Sequence, residues 1–351
     1  MALFTELPVS AQTAYAQLLE AALGVEHFRT VADLRGSFAS KTVKKRKFWY
    51  YQYTEPAGKV RQIFVGPDSD VVRALVHKKN DPSAMQRVGM SAKAAAAYGC
   101  SQINSRQMRV IERLSEYGFF RAGGVLIGTH AFLAYGNMLG VKWGDSSHTQ
   151  DIDFAHAGKS ISLLLPSDFD ANIHAAVESL QMGFLPMTGI TSKAGASYLI
   201  PNEPEFKLDF LTTLHRGRDA PFKHEKLGIT LQPMKFMEYS LEDIRQAVLF
   251  YGSTAVVVNV PSPERYALHK LIVAGERKGT FAIKVGKDLS QAAMLISRLR
   301  EHHRSDLRAA WDDLISRGPG WMSRVKHGLS ALYRKHPELS DLLTVASEPE
   351  G

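Results

Sequence analysis

Three aspartates carry the strongest chemical signal in this 351-residue sequence. In HTQDIDFA, Asp151 and Asp153 stand two residues apart on a stretch that alternates as a strand does. Both carboxylates then project from one face while Ile152 and Phe154 point into the core. Two like charges on one face repel each other unless something positive lies between them. Magnesium is the natural candidate, because this hard cation prefers carboxylate oxygen and completes its shell with water and phosphate oxygens. A bare Asp-x-Asp is also what a solvated strand end looks like, so a third acid carries weight. Asp209 lies in EFKLDFLT, where Phe206, Leu208 and Phe210 form one apolar face and Lys207 and Asp209 the other. A neighbouring strand of that pattern would present a third carboxylate towards the pair.

Upstream, the run GGVLI leads into Gly128-Thr129 and directly into a helical pattern. A glycine at a strand-to-helix turn lets backbone N–H groups approach an anion, and the helix amino terminus favours negative charge, so this turn suits a triphosphate. Further on, Tyr266, Lys270, Val273 and Arg277 fall on one side of a helix by three- and four-residue spacing, and Lys287 follows near the start of the next helix. These cations read either as a basic arm over the β- and γ-phosphates or as a solvated helix face.

Other candidates compete less well. Gly36-Ser37 also precedes an Asp-x-Asp pair, Asp68 and Asp70, but GPDSDVVRAL reads as a turn and helix cap with no strand to hold both acids on one face. His130, His302 and His303 lack metal-ligating companions at suitable sequence spacing and are expected in surface or packing roles. Cys100, the single cysteine, excludes an internal disulfide framework, and its Ala-rich surroundings suggest a packed thiol.

The elements that must position these residues fall into three regions. Residues 1–105 open with an amphipathic helical stretch from Ser10 to Leu23. Two β-like runs follow, KFWYYQYT and KVRQIFVG, joined by a hairpin turn at Glu55-Pro56-Ala57-Gly58, then a charged helix VVRALVHKKND and an Ala-rich stretch. Residues 106–259 alternate helix and strand. NSRQMRVIERLSEYG, THAFLAYGNML and 168–182 read as helices, and GGVLIG, DIDFA, ISLLL, SYLI and FKLDFLT as strands. VVVNVP forms a joint, after which residues 260–351 are helical from Ser262-Pro263-Glu264 onward. The fold class expected is α+β with α/β-like character: a mixed sheet, preceded by a small α+β region and followed by a helical domain.

Composition sets outer bounds. With 45% hydrophobic residues the chain can bury two or three cores. The amino terminus lacks a leader pattern, and no stretch approaches the roughly 20 apolar residues of a membrane span, so the expectation is a cytoplasmic protein with no membrane contact. The net charge of +8 points to polyanionic partners. Part of that excess lies in KTVKKRKF, and in KKRKFWYYQY basic residues interleave with aromatics, a combination able to grip phosphates and stack bases or, equally, to pack as a strand.

The order strand, Gly-Thr, helix, Asp-x-Asp and a later single Asp on a strand resembles the nucleotidyltransferase superfamily of DNA polymerase β. GTHAFLAYGNMLGV, TQDIDF, VPSPERYALHKLIVAGER and KDLSQAAMLI are similar to a bacterial nucleotidyltransferase branch and, more distantly, to nucleotidyltransferase toxins and abortive-infection proteins. The resemblance covers roughly residues 110 to 300. This chain has Thr129 where many members carry serine or glycine, and a full helix plus the loop KWGDSSHTQ between Gly128 and Asp151.

The resemblance implies transfer of a nucleoside monophosphate from a triphosphate such as ATP to an acceptor hydroxyl, with release of pyrophosphate. It implies two magnesium ions, with manganese as an alternative, bridged by Asp151 and Asp153. Asp209 would ligate the second ion and accept the hydroxyl proton. Gly128, Thr129, Lys270, Arg277 and Lys287 would bind the triphosphate. The basic charge favours RNA, such as tRNA, as acceptor. The alternatives are a protein side chain, a small molecule of the aminoglycoside kind, or a non-catalytic nucleotide- or RNA-binding protein of the same fold.

Overall fold

The computed structural model describes residues 3–27, 36–54, 60–80, 83–144, 149–157, 172–188, 194–214, 219–277 and 282–340. In chain order the first half comprises β1 (Phe4–Glu6), α1 (Val9–His27), β2 (Ser37–Val43), β3 (Arg46–Thr54), β4 (Val60–Pro67), α2 (Asp70–Asn80), α3 (Ser83–Ala97), α4 (Ser105–Glu116), β5 (Gly124–Ile127), α5 (Gly128–Met138), β6 (Val141–Trp143) and β7 (Ile152–His156). The second half comprises α6 (Ile173–Ser179), β8 (Leu185–Thr188), β9 (Ala194–Ile200), β10 (Glu203–Thr213), β11 (Phe222–His224), β12 (Ile229–Met234), α7 (Met237–Leu241), β13 (Ile244–Tyr251), β14 (Thr254–Pro261), α8 (Pro263–Glu276), α9 (Ala282–His302), α10 (Arg304–Ser316) and α11 (Pro319–Lys335).

A mixed sheet is the frame of the molecule. Its path runs β11-β12-β10-β7-β5, and β9 also pairs with β10 and carries β8. Strand β10 is parallel to β7 and β12 and antiparallel to β9. Alternation decides which side of the sheet each residue faces. Leu126, Ile152, Phe154, Leu208 and Phe210 point to the main core, where the Phe154 and Phe210 rings stack at 5.3 Å and both meet Phe119 edge-on. Val125, Ile127 and Ala155 point the other way, onto Met237 and Leu241 of α7. The aspartates lie on this second face.

Strand β14 and helix α8, on either side of Ser262, contribute to one buried cluster. Val258 and Val260 of β14 belong to the same buried cluster as Leu268 and Leu271 of α8, and that cluster runs from Ile103 to Leu339. Helices α8 and α11 meet backbone to backbone. A Cβ on Gly275 would lie 2.1 Å from the Arg324 carbonyl oxygen, and one on Gly328 2.1 Å from that of Leu271, so glycine is what permits this approach. The β13–β14 hairpin closes a separate cluster with α1 and α3, in which Tyr15, Leu18, Val248 and Phe250 are buried.

The first expected hairpin forms, with β3 antiparallel to β4 from Phe48↔Pro67 to Thr54↔Val60. Its Glu55-Pro56-Ala57-Gly58 turn, and the expected strand ISLLL, lie outside the described residues. The helix expected at 168–182 is shorter where described, Ile173–Ser179, with the Asn172 side chain accepting a hydrogen bond from the Ala175 N–H at 3.0 Å. Seven of the described strands have no counterpart in the sequence reading: β1, β2, β6, β8, β11, β12 and β13, the longest being the polar SFASKTV of β2 and IRQAVLFY of β13. Among the described residues no helix is long and apolar enough to cross a membrane.

Candidate active site

Strands β7 and β10 run parallel in the register Leu208↔Ile152, Asp209↔Asp153 and Phe210↔Phe154. Ile152, Phe154, Leu208 and Phe210 are buried, which fixes the register and forces Asp153 and Asp209 onto the same opposite face as direct neighbours. Asp151 immediately precedes β7 and remains half-buried. On the other edge of β10, Ser197 stands opposite Asp209 and its hydroxyl donates to Asp209 Oδ1 at 2.5 Å. The Lys207 ammonium lies 2.7 Å from Asp209 Oδ2. Asp209 is thus held by β9 and by its own strand, and the ligand atoms of the three aspartates do not all come within 4.8 Å of one another.

The Gly-Thr turn adjoins this cluster. Ile127 pairs with Asp153 across the antiparallel β5–β7 ladder, so Gly128, the first residue of α5, falls beside the Asp153 carboxylate. Gly128 has φ +63, and a Cβ there would lie 2.1 Å from Asp153 Oδ2. Glycine is therefore required twice, for the left-handed backbone and for the room it leaves the acid. Thr129 is buried in the first helical turn. His130 is fully buried, and both its ring nitrogens lack a hydrogen-bond partner among the described residues. Burial, aided by the charge of Lys287, lowers its pKa to about 4, so the ring is neutral at pH 7.

Electrostatics concentrate on Asp153. Burial, then the charges of Asp209 and Asp151, raise its pKa to about 6, while Lys270 and Lys207 pull the other way. For Lys207, burial works against the charge, but the hydrogen bond and the charge of Asp209, with Asp151 and Asp153 behind, leave its pKa raised. Lys287 is the reverse case, with burial and the neighbouring Lys270 ammonium lowering its pKa against the attraction of Asp153, Asp288 and Asp151.

The helical cations are tied down by an acid that sequence spacing does not reveal. Lys270 Nζ lies 2.6 Å from Asp288 Oδ1, and Arg277 pairs with the other oxygen of the same carboxylate. Asp288 belongs to α9 and is buried, so it holds α8 and α9 together through both cations. Lys270 and Lys287 are close enough to the acids to act on Asp153 or be acted on by it, whereas Arg277 pairs with Asp288. Tyr266, one turn before Lys270, reaches the turn itself: its single hydroxyl proton lies within range of the Gly128 carbonyl oxygen, at 2.8 Å, and of Gln291 Oε1, at 3.1 Å.

Asp68 and Asp70 behave as the cap reading expects. Asp70 opens α2, and Asp68 accepts from the Trp49 indole N–H at 2.8 Å and pairs with Arg73. His302 does have acidic neighbours, Glu6 and Glu301, and His303 has Glu264 and Asp306. Glu6 and Glu264 come from other parts of the chain, so sequence spacing gave no sign of them.

No curated protein matches this chain. Among solved structures it is similar to an antigenic nucleotidyltransferase-like protein from Paracoccidioides brasiliensis, at 14% identity and a TM-score of 0.36, over 70% of this chain and 95% of that one. Residues 105–316, more than half of the sequence and the span that holds β5, α5, β7, β10 and α8, match the nucleotidyltransferase family, and the chain belongs to that family.

Proposed function

We propose that this protein is a magnesium-dependent enzyme that transfers a nucleoside monophosphate from a triphosphate to an acceptor hydroxyl, with RNA favoured as acceptor. The observation that carries the reading is the in-register pair Asp153 and Asp209 on parallel strands, with the Asp153 carboxylate against the first residue of a helix. Family membership supports nucleotide transfer in general.

The donor set fits a divalent ion. Asp151, Asp153 and Asp209 offer hard carboxylate oxygens on one face, and the pKa of Asp153 is raised by burial and then by the repulsion of the other two acids, a repulsion that a cation would relieve. Asp151 and Asp153 would hold both ions, and Asp209 one. When bound, the ions supply charge neutralisation and lower the pKa of an attacking hydroxyl.

The remaining work belongs to the chain. Gly128 leaves room for the Asp153 carboxylate beside the start of α5, and the first N–H groups of that helix would take the phosphate oxygens, since a helix amino terminus favours anions. Lys270 and Lys287 supply positive charge beside the acids. Tyr266 holds the Gly128 carbonyl and with it the conformation of the turn. Asp209 accepts the proton of the attacking hydroxyl, the acceptor oxygen bonds to the α-phosphorus, and the bond to the pyrophosphate oxygen breaks in line. Positioning and charge neutralisation dominate such transfers.

The test is to incubate the protein with each labelled nucleoside triphosphate, magnesium and total cellular RNA, and separately with lysate protein and small-molecule fractions. Label in RNA, dependent on magnesium and lost in Asp153→Asn, is the expected result. Label only in protein or small molecules would move the acceptor. No label in any fraction would return the chain to a nucleotide-binding role.

A further inference from the structure

We propose that the outward face of the sheet β2–β4 is a docking surface for single-stranded RNA. The inference rests on the reading of the chain as an enzyme acting on an RNA hydroxyl, and it names where such an acceptor is held.

Charge is the first observation. Residues 36–67 contain seven basic residues and one acidic, and so carry six of the eight net positive charges of the whole chain. The second is the arrangement of aromatic side chains. Strand register puts Lys41, Phe48, Tyr50 and Phe64 on one face. The Phe64 ring lies 5.5 Å from that of Tyr50 and 6.2 Å from that of Phe48, and Lys41 Nζ sits 4.9 Å above the Tyr50 ring while bonding to Gln62 Oε1. Phe64 is 57% exposed.

The opposite face is already used for packing. Tyr51 is buried there against Phe38, and Trp49 donates to Asp68 next to α2. On the outward face Phe48 and Tyr50 are half-buried and Phe64 is exposed, with the Lys41 ammonium over the Tyr50 ring.

The hairpin tip adds a third observation. Val43 pairs with Arg46 across a two-residue turn made by Lys44 and Lys45, with φ of 48 and 61. Asn-Gly is the usual choice for such a turn, and an L side chain in the left-handed region costs roughly 1–2 kcal/mol. Two lysines there give up local stability and place two charges at the edge of the aromatic face. Charge beside exposed rings is the chemistry that holds a single strand, with phosphates on the lysines and unpaired bases on the rings, each stacked base contributing about 1–3 kcal/mol. A duplex offers no base faces to such a surface.

The experiment is fluorescence anisotropy with a labelled 12-nucleotide single-stranded RNA and the full-length protein, without triphosphate or divalent ion. Tyr50→Ala with Phe64→Ala should weaken binding at least tenfold, and Lys44→Ala with Lys45→Ala should flatten its salt dependence. Phe64→Ala alone keeps the test valid should the double variant unfold, since that ring is more than half exposed. Equal affinity in all variants, no binding by the wild type, or tighter binding to duplex RNA, single-stranded DNA or phosphatidylserine vesicles would overturn the inference. Nucleotide transfer is assayed in parallel. RNA held on this face without transfer sustains the inference and removes the proposed reaction, whereas transfer to RNA with undiminished binding by the variants removes the inference alone.

Discussion

The Asp153 carboxylate fills the space that a side chain on Gly128 would need, since a Cβ there would come within 2.1 Å of Asp153 Oδ2. Gly128→Ala should therefore act first on the acid and only then on any ligand. The expected result is a loss of stability of about 1–2 kcal/mol from the positive φ, seen by thermal unfolding, with transfer reduced on the order of a hundredfold. Unchanged turnover would show that the position of Asp153 beside the turn is immaterial.

Asp153→Asn should stabilise the metal-free protein while abolishing transfer. Burial and the neighbouring acids raise the pKa of this carboxyl in the folded chain to about 6, from an ordinary value of 3.8. An acid with a raised folded pKa imposes no penalty below the unfolded value, destabilises progressively as pH rises from about 4 to about 6, and imposes a constant penalty above. At about 1.4 kcal/mol per pKa unit the penalty at pH 7 is on the order of 3 kcal/mol. Denaturant unfolding at pH 4 and pH 7.5 should show the two proteins nearly equal at the lower pH and the variant ahead at the higher.

Magnesium should raise the unfolding temperature at pH 7.5, since it binds the folded acids and not the dispersed ones. The gain should shrink below about pH 6 as Asp153 takes up a proton, because protons and metal compete for the same oxygen. Asp151→Asn should remove most of the gain at every pH. An equal magnesium effect at pH 5 and pH 7.5 would place the ion elsewhere.

Asp209 separates binding from turnover. Asp209→Ala removes the acid proposed as proton acceptor and leaves the Lys207 ammonium without its partner, so triphosphate affinity by calorimetry should hold or rise. Single-turnover transfer should fall by roughly 10²–10⁴-fold. Near-normal turnover would reduce the site to two acids.

Tyr266→Phe removes one hydroxyl that serves both the Gly128 carbonyl and Gln291. Stability should fall by about 1 kcal/mol, and transfer should fall several-fold with little change in triphosphate affinity. An unaltered rate would mean that the turn holds its shape without this contact.

The strand-borne acids were legible in the sequence because a period of two leaves little freedom. Once Ile152, Phe154, Leu208 and Phe210 are buried, Asp153 and Asp209 must share the other face. Asp288 was not legible as their neighbour, because its link to Lys270 and Arg277 depends on how α8 and α9 cross, which no local pattern encodes. Ser197 was hidden for the same reason, since its meeting with Asp209 follows from the pairing of β9 with β10. Strand β2 escaped because SFASKTV alternates weakly and remains largely exposed, so its pairing with β3 rests on backbone hydrogen bonds more than on an apolar face. The helical cations were found by spacing, but spacing does not say which anion they face.

The backbone contact between α8 and α11 has a consequence for how this chain can vary. At Gly275 and Gly328 the two helices touch through main-chain atoms, so neighbouring side chains can drift while the distance between the axes cannot. Lys270 lies on α8 between the turn it supports through Tyr266 and this fixed contact, so its reach towards the acids is set by two hydrogen atoms on glycines remote from any chemistry. A methyl group at Gly328 would meet the carbonyl oxygen of Leu271, the residue after Lys270, and so disturb that reach, and α11 thereby acts as the gauge block of the candidate site.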